Sequence, residues 1–138
     1  MFSHLTFDQL ILAFIKIAIP AFLMIVFIQS GLDKIIDKKG NLDWLRDHFS
    51  KTFLKSIVPH LLLVLTLFEF ISGILFFVGI LFYFFKAQTQ LIVFGLILSN
   101  ITILCLFLGQ RIAKDYVGAA DLVNYFTLSI IGLLVFLY

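Results

Sequence analysis

Charge is scarce in this chain. Of its 138 residues only 13% are Asp, Glu, Lys or Arg, while 62% are hydrophobic. A soluble domain carries about 25% charged residues, and a small globule exposes too much surface to stay in water with half that share. The deficit argues against an ordinary water-soluble domain and makes the bilayer the natural solvent for these side chains. Cysteine is nearly missing, because Cys105 stands alone inside an apolar run. That excludes an intramolecular disulfide, a CxxC redox pair and a thiol exchanger working through its own cysteines. Cys105 is therefore expected to be an inert, buried thiol. Histidine is limited to His4, His48 and His60. No two of them are expected to face each other from opposed spans, which argues against a bis-histidine haem. No Walker loop, dinucleotide fingerprint or nucleophile elbow occurs, and a net charge of +2 is too small to suggest nucleic acid.

What is present is long apolar runs. A hydrocarbon core of about 30 Å needs roughly 20 apolar residues in a helix. Four runs meet that length, predicting spans over about 10–30, 59–85, 91–109 and 121–138. None shows the alternating polarity of a membrane β-strand. The fold class expected is therefore all-α, an integral membrane four-helix bundle forming a single domain. The first run lacks a small-residue cleavage site and continues into Gln29-Ser30-Gly31, so it reads as a retained helix.

The connections differ in length. Lys86–Gln90 is a tight hairpin that makes its two helices antiparallel neighbours, and Gln110–Asp121 is a short polar turn containing Gly118. The first connection, 31–56, is long and carries Leu42, Leu45, Phe49 and Phe53 at helical spacing. It is predicted to be an amphipathic helix capped by Asn41 or Asp43, lying in the membrane interface with Trp44 at headgroup depth. Pro59 suits the first turn of the second span. Eight of the ten basic residues lie in the first and third connections, which places these in the cytoplasm and both termini outside.

An ionisable group inside a span costs on the order of 2.5–3.5 kcal/mol on insertion scales. Glu69 is the clearest case, roughly 12 Å in from Leu61 at the helical rise. By the same count Asn100 and Ser129 come near its level, and Tyr125 has the reach to join them. Lys16 lies toward the other end of its span and either pairs with Glu69 through tilt or water, or snorkels outward. Two readings of Glu69 stand side by side, a hydrogen-bonded strut and a functional acid. Asn100 and Ser129 read first as interhelical glue. A second polar cluster lies at the cytoplasmic boundary: Gln29, Asp33 and Lys34 after the first span, and Gln110, Arg111, Asp115 and Tyr116 after the third. Arg111 and Asp115 have the spacing to pair on one helical turn. Such a rim suits an anionic headgroup, a quinone head, or simply a salt-bridged boundary.

The segment Phe27-Ile28-Gln29-Ser30-Gly31-Leu32-Asp33-Lys34-Ile35 resembles the small-Gly-x-x-Lys ending of the first span in the DoxX family of small four-helix bacterial membrane proteins. Glu69-Phe70-Ile71-Ser72-Gly73-Ile74-Leu75, followed by Gly79, resembles that family's second span, and Lys16 stands where many members have arginine. The long amphipathic insert departs from the compact members. The resemblance implies the four-helix fold in the bacterial cytoplasmic membrane. It also implies a link to membrane redox complexes, since some relatives are subunits of thiosulfate:quinone oxidoreductases. Nothing in the chain supplies a redox centre, and no covalently bound cofactor is expected. The reading is therefore an accessory subunit of a larger membrane complex, or a homo-oligomer, without catalysis of its own. The alternatives are a quinone-interacting subunit and a small-solute transporter. The expected partners are lipid and another membrane protein.

Overall fold

The computed structural model describes residues 3–138, and among them the chain is all-α. The helices are α1 (Phe7–Ile36), α2 (Lys38–His48), α3 (Val58–Lys86), α4 (Gln90–Ile112) and α5 (Tyr116–Val135), with a 3-10 turn at Phe53–Ile57 before α3. Four of these, α1, α3 with its preceding 3-10 turn, α4 and α5, are long and apolar enough to cross a membrane. They fit a multi-pass membrane protein.

Local chemistry sets the ends. A reciprocal capping box opens α1: the Thr6 hydroxyl accepts from the Gln9 amide at 3.3 Å, and the Gln9 side chain accepts from the Thr6 amide at 2.9 Å. Polar residues do not stop this helix where the apolar run ends. It continues through Lys34 to Ile36 and breaks at Asp37, whose backbone leaves the helical region. Asp37 then caps α2 by accepting from Gly40 N at 3.2 Å. The cap expected at Asn41 or Asp43 thus lies upstream. Asn41 instead lies inside α2 and donates its amide to the Asp37 carbonyl at 2.9 Å.

The inward stripe of the first connection is shorter than its sequence spacing suggests. Leu42 and Leu45 are half-buried and Phe49 is buried, but Phe53 is 77% exposed. Because α2 ends at His48, the turn that follows rotates Phe53 off the stripe. Pro59 occupies the first turn of α3, where its missing N–H costs nothing. The α3–α4 hairpin closes through Ala87 in the left-handed region (φ 52°), with its amide donating to the Tyr83 carbonyl. Between α4 and α5 only 113–115 are non-helical, so most of the expected 110–121 turn is helix. Lys114 takes a positive φ there, and the Asp115 side chain caps α5 by accepting from Gly118 N at 2.9 Å.

The long helices pack in the order α1, α3, α4, α5, and α5 returns to α1. Leu23 of α1, Phe76 of α3, and Ile92 and Leu96 of α4 are fully buried at the centre. Gly79 lets α3 and α4 approach at backbone contact, since a Cβ there would lie 2.8 Å from the Ile92 nitrogen. Apolar side chains also cover the outside. No more than 39% of any of the four apolar windows is buried within the chain.

Candidate functional site

Glu69 is the only buried charged residue among the described residues, and its partner comes from the end of α1. Because α1 stays helical past Gln29, Ser30 and Lys34 fall one turn apart on the same face. Lys34 Nζ donates to Ser30 Oγ at 2.8 Å and to Glu69 Oε1 at 3.1 Å, and lies 3.1 Å from Oε2 as well. Its third contact is the Ser30 carbonyl at 3.5 Å. The ammonium thus has an acceptor for each of its three protons. The Lys34 side chain is 15% exposed and that of Glu69 only 3%, so water reaches the pair from the lysine side.

Close helix contact surrounds this pair. Gly31 faces the Phe70 ring, and Gly73 faces Ile28, where a Cβ would fall 2.5 Å from Ile28 Cγ1. Segments 27–35 and 69–75 therefore meet at one crossing of α1 on α3, with the ion pair at its polar end.

The other interior polar groups do not join Glu69. Asn100 Nδ2 donates to Ser129 Oγ at 2.9 Å and to the Leu96 carbonyl at 2.9 Å, tying α4 to α5. Asn100 Oδ1, Ser72 Oγ and Glu69 Oε2 are buried without a hydrogen-bond partner among the described residues, Oε2 being met by the Lys34 charge alone. Lys16 turns away from Glu69 and lies 5.5 Å from the centre of the Phe136 ring, a cation–π contact between α1 and the end of α5. Tyr125 makes no hydrogen bond to Glu69, but both line a cavity of about 180 Å³ with Ser30, in the seam between α1 and α5. A neighbouring cavity of about 320 Å³, lined by Gln29, Asp33 and Tyr125, adjoins it through shared walls at Val26 and Ser30. Replacing Ser129 with Ala is expected to cost about 0.6 kcal/mol, and at most about 1.7, the range measured for polar contacts between membrane helices. A chemical or thermal unfolding comparison in detergent checks this.

The boundary cluster separates into independent contacts. Lys34 belongs to Glu69. Asp33 accepts from the Asn41 side chain at 3.4 Å, and Gln29 is exposed. Arg111 does not pair with Asp115, because α4 ends at Ile112 and the two share no turn; its guanidinium lies 4.4 Å from the centre of the Tyr116 ring. Gln110 Oε1 lies 2.5 Å from His48 Nε2, and Asp115 Oδ2 lies 3.9 Å from the same nitrogen. This fastens α2 to the α4–α5 turn. Cys105, expected to be buried, is exposed. His4 and His60 are exposed.

Hydropathy puts Lys34 in a connection, so the sequence alone does not show its contact with Glu69. The available signal was negative: no proline or glycine interrupts 32–36, so nothing ends the helix before Asp37. No protein-family model, curated protein or solved structure matches this chain.

Proposed function

We propose that this chain is a multi-pass protein of the bacterial cytoplasmic membrane, a four-helix bundle of the DoxX type, and that it serves as an accessory subunit of a larger membrane complex without catalysis of its own. One observation carries the reading: the buried acid is already neutralised from within. Glu69 is held by Lys34, whose remaining protons go to Ser30. A carboxylate so engaged acts as a strut that sets the crossing of α1 on α3. The apolar exterior of the four long helices supports a membrane location, where lipid and neighbouring spans cover it. Trp44, exposed on α2, suits the headgroup layer, and the basic connections suit the cytoplasmic side.

A second reading, a quinone-interacting subunit, is favoured by the seam between α1 and α5. Its two adjoining cavities bring Ser30, Glu69 and Tyr125 together. Lys34 has no donor to spare, so a quinone carbonyl entering there would depend on the Tyr125 hydroxyl or the Gln29 amide.

Gentle-detergent recovery of the tagged chain from its native membrane separates the two. The accessory reading expects stoichiometric recovery of a membrane complex, which Glu69→Gln weakens by loosening the crossing. Intact assembly with loss of quinone-dependent turnover in the same variant would favour the second reading. Recovery of the tagged chain alone would remove both.

A further inference from the structure

A separate cavity, away from the Lys34–Glu69 pair, lies beneath the first connection. Its volume is about 370 Å³, within the ~300–1,000 Å³ typical of pockets that enclose small ligands. Phe49 and Leu54 roof it, Leu65 and Phe68 of α3 form one wall, and Leu106 of α4 contributes to the other. Its exposed lining residues, which mark the mouth, are Trp44 and Phe53 in the first connection and Val64, Cys105 and Leu108 on the outer faces of α3 and α4. A ligand can therefore enter sideways from an apolar phase.

Trp44, His48 and Gln110 are the lining side chains with nitrogen donors, and His48 and Gln110 are turned on each other. The Gln110 amide nitrogen faces Gly118, where an added Cβ would meet it at 2.7 Å. Among the leucine and phenylalanine side chains that make up most of the lining, a carbonyl or hydroxyl would lose its water with little to replace it, which is costly. Hydrocarbon would lose nothing. Past the end of α2, where Asp43 and Asp47 stand beside Trp44 and His48, the charge is of one sign: from Phe49 to Phe68 the chain has Lys51 and Lys55 and no acidic residue. Both lysines are exposed, and neither is ion-paired among the described residues.

We propose that this cavity holds one hydrocarbon chain of an anionic amphiphile whose head is bound by Lys51 and Lys55. The cavity selects the chain by excluding polar groups, and the lysines select the head by charge. A phospholipid and a free fatty acid share this chemistry. The inference rests on the membrane location proposed above and is independent of the accessory role.

Trp44 is the only tryptophan in the chain and lines this cavity, so its fluorescence reports on the occupant. The full-length protein is reconstituted in vesicles and titrated with acyl-brominated phosphatidylglycerol, with acyl-brominated phosphatidylcholine, and with a brominated fatty acid. Saturable quenching by the phosphatidylglycerol is expected, at several-fold lower concentration than by the phosphatidylcholine. The paired change Lys51→Gln and Lys55→Gln should abolish that preference. Val64→Phe and Cys105→Phe, both at the exposed mouth, should reduce quenching by anionic and neutral lipid alike. Stronger quenching by the fatty acid, with the same response to these variants, supports the site and names the free acid as the source. Linear quenching that is equal for all three probes and indifferent to the variants would overturn the proposal, because Trp44 would then report bulk lipid alone. Flotation of the vesicles, read in parallel, tests the membrane location itself: protein left behind in the dense fraction overturns that location and the site with it.

Discussion

Lys34→Met is expected to lower the unfolding free energy of the detergent-solubilised protein by about 3 kcal/mol, the low end of what removing one partner of a buried ion pair costs. The loss comes less from the missing attraction than from what remains, a carboxylate 3% exposed whose hydrogen-bonding partner has gone. The low end applies because the lysine side chain is 15% exposed, so some water reaches the pair and softens both the attraction and the penalty. The paired change Lys34→Met with Glu69→Leu should recover most of the loss and fall within about 1 kcal/mol of the native protein, since matched apolar side chains replace a buried pair at little cost. Glu69→Gln should fall between the two, as it keeps an acceptor for Lys34 but leaves the ammonium's charge uncompensated. Unfolding curves for Lys34→Met, for Glu69→Leu alone and for the paired variant complete a cycle that isolates the coupling. If Lys34→Met unfolds with the native protein, the pair is not a structural strut, and the accessory reading loses its main support.

At Gly79, substitution by Leu should cost about 1–3 kcal/mol, the range for overpacking a filled interior, and loosen the α3–α4 contact. The reason is geometric. A Cβ at this position would lie 2.8 Å from the Ile92 nitrogen and 3.2 Å from the Leu91 carbonyl carbon. Those are backbone atoms, which cannot rotate away, so the helices must part. Gly109→Ala is the control. Its Cβ would meet only the edge of the Phe49 ring, at 3.4 Å, an ordinary contact. It should leave stability within about 0.5 kcal/mol of the native protein. Thermal unfolding of the three proteins in one detergent provides the comparison. Equal midpoints for Gly79→Leu and Gly109→Ala would mean that α3 and α4 do not touch at Gly79.

Helix ends explain most of the differences between the sequence reading and the structure. The hydropathy of 10–28 places the first apolar run but carries no information on how far the helix continues into polar residues. Lys34 was counted among the cytoplasmic charges for that reason, although it turns inward to the acid left without a certain partner. The Arg111–Asp115 spacing suggested a pair, but it presupposed a helix that ends at Ile112. Cys105 reads as buried from its place in the middle of an apolar run but is exposed; in a chain whose helices are apolar on every face, the run does not say which side turns inward. Phe53 was lost from its stripe in the same way, through a turn no periodicity shows.

Four long helices, the hairpin between α3 and α4, the place of Pro59 and one costly acid at position 69 are all legible in the chain before it folds. These depend on length, local composition and backbone chemistry, which neighbouring residues settle among themselves. Only the tertiary structure decided that Glu69 meets Lys34 across 35 residues of chain, that Asn100 turns to Ser129, and that the first connection roofs a cavity. Each depends on the rotation of one helix against another, and a helix that is apolar all round leaves that rotation to close packing and to the few polar atoms that must find a partner.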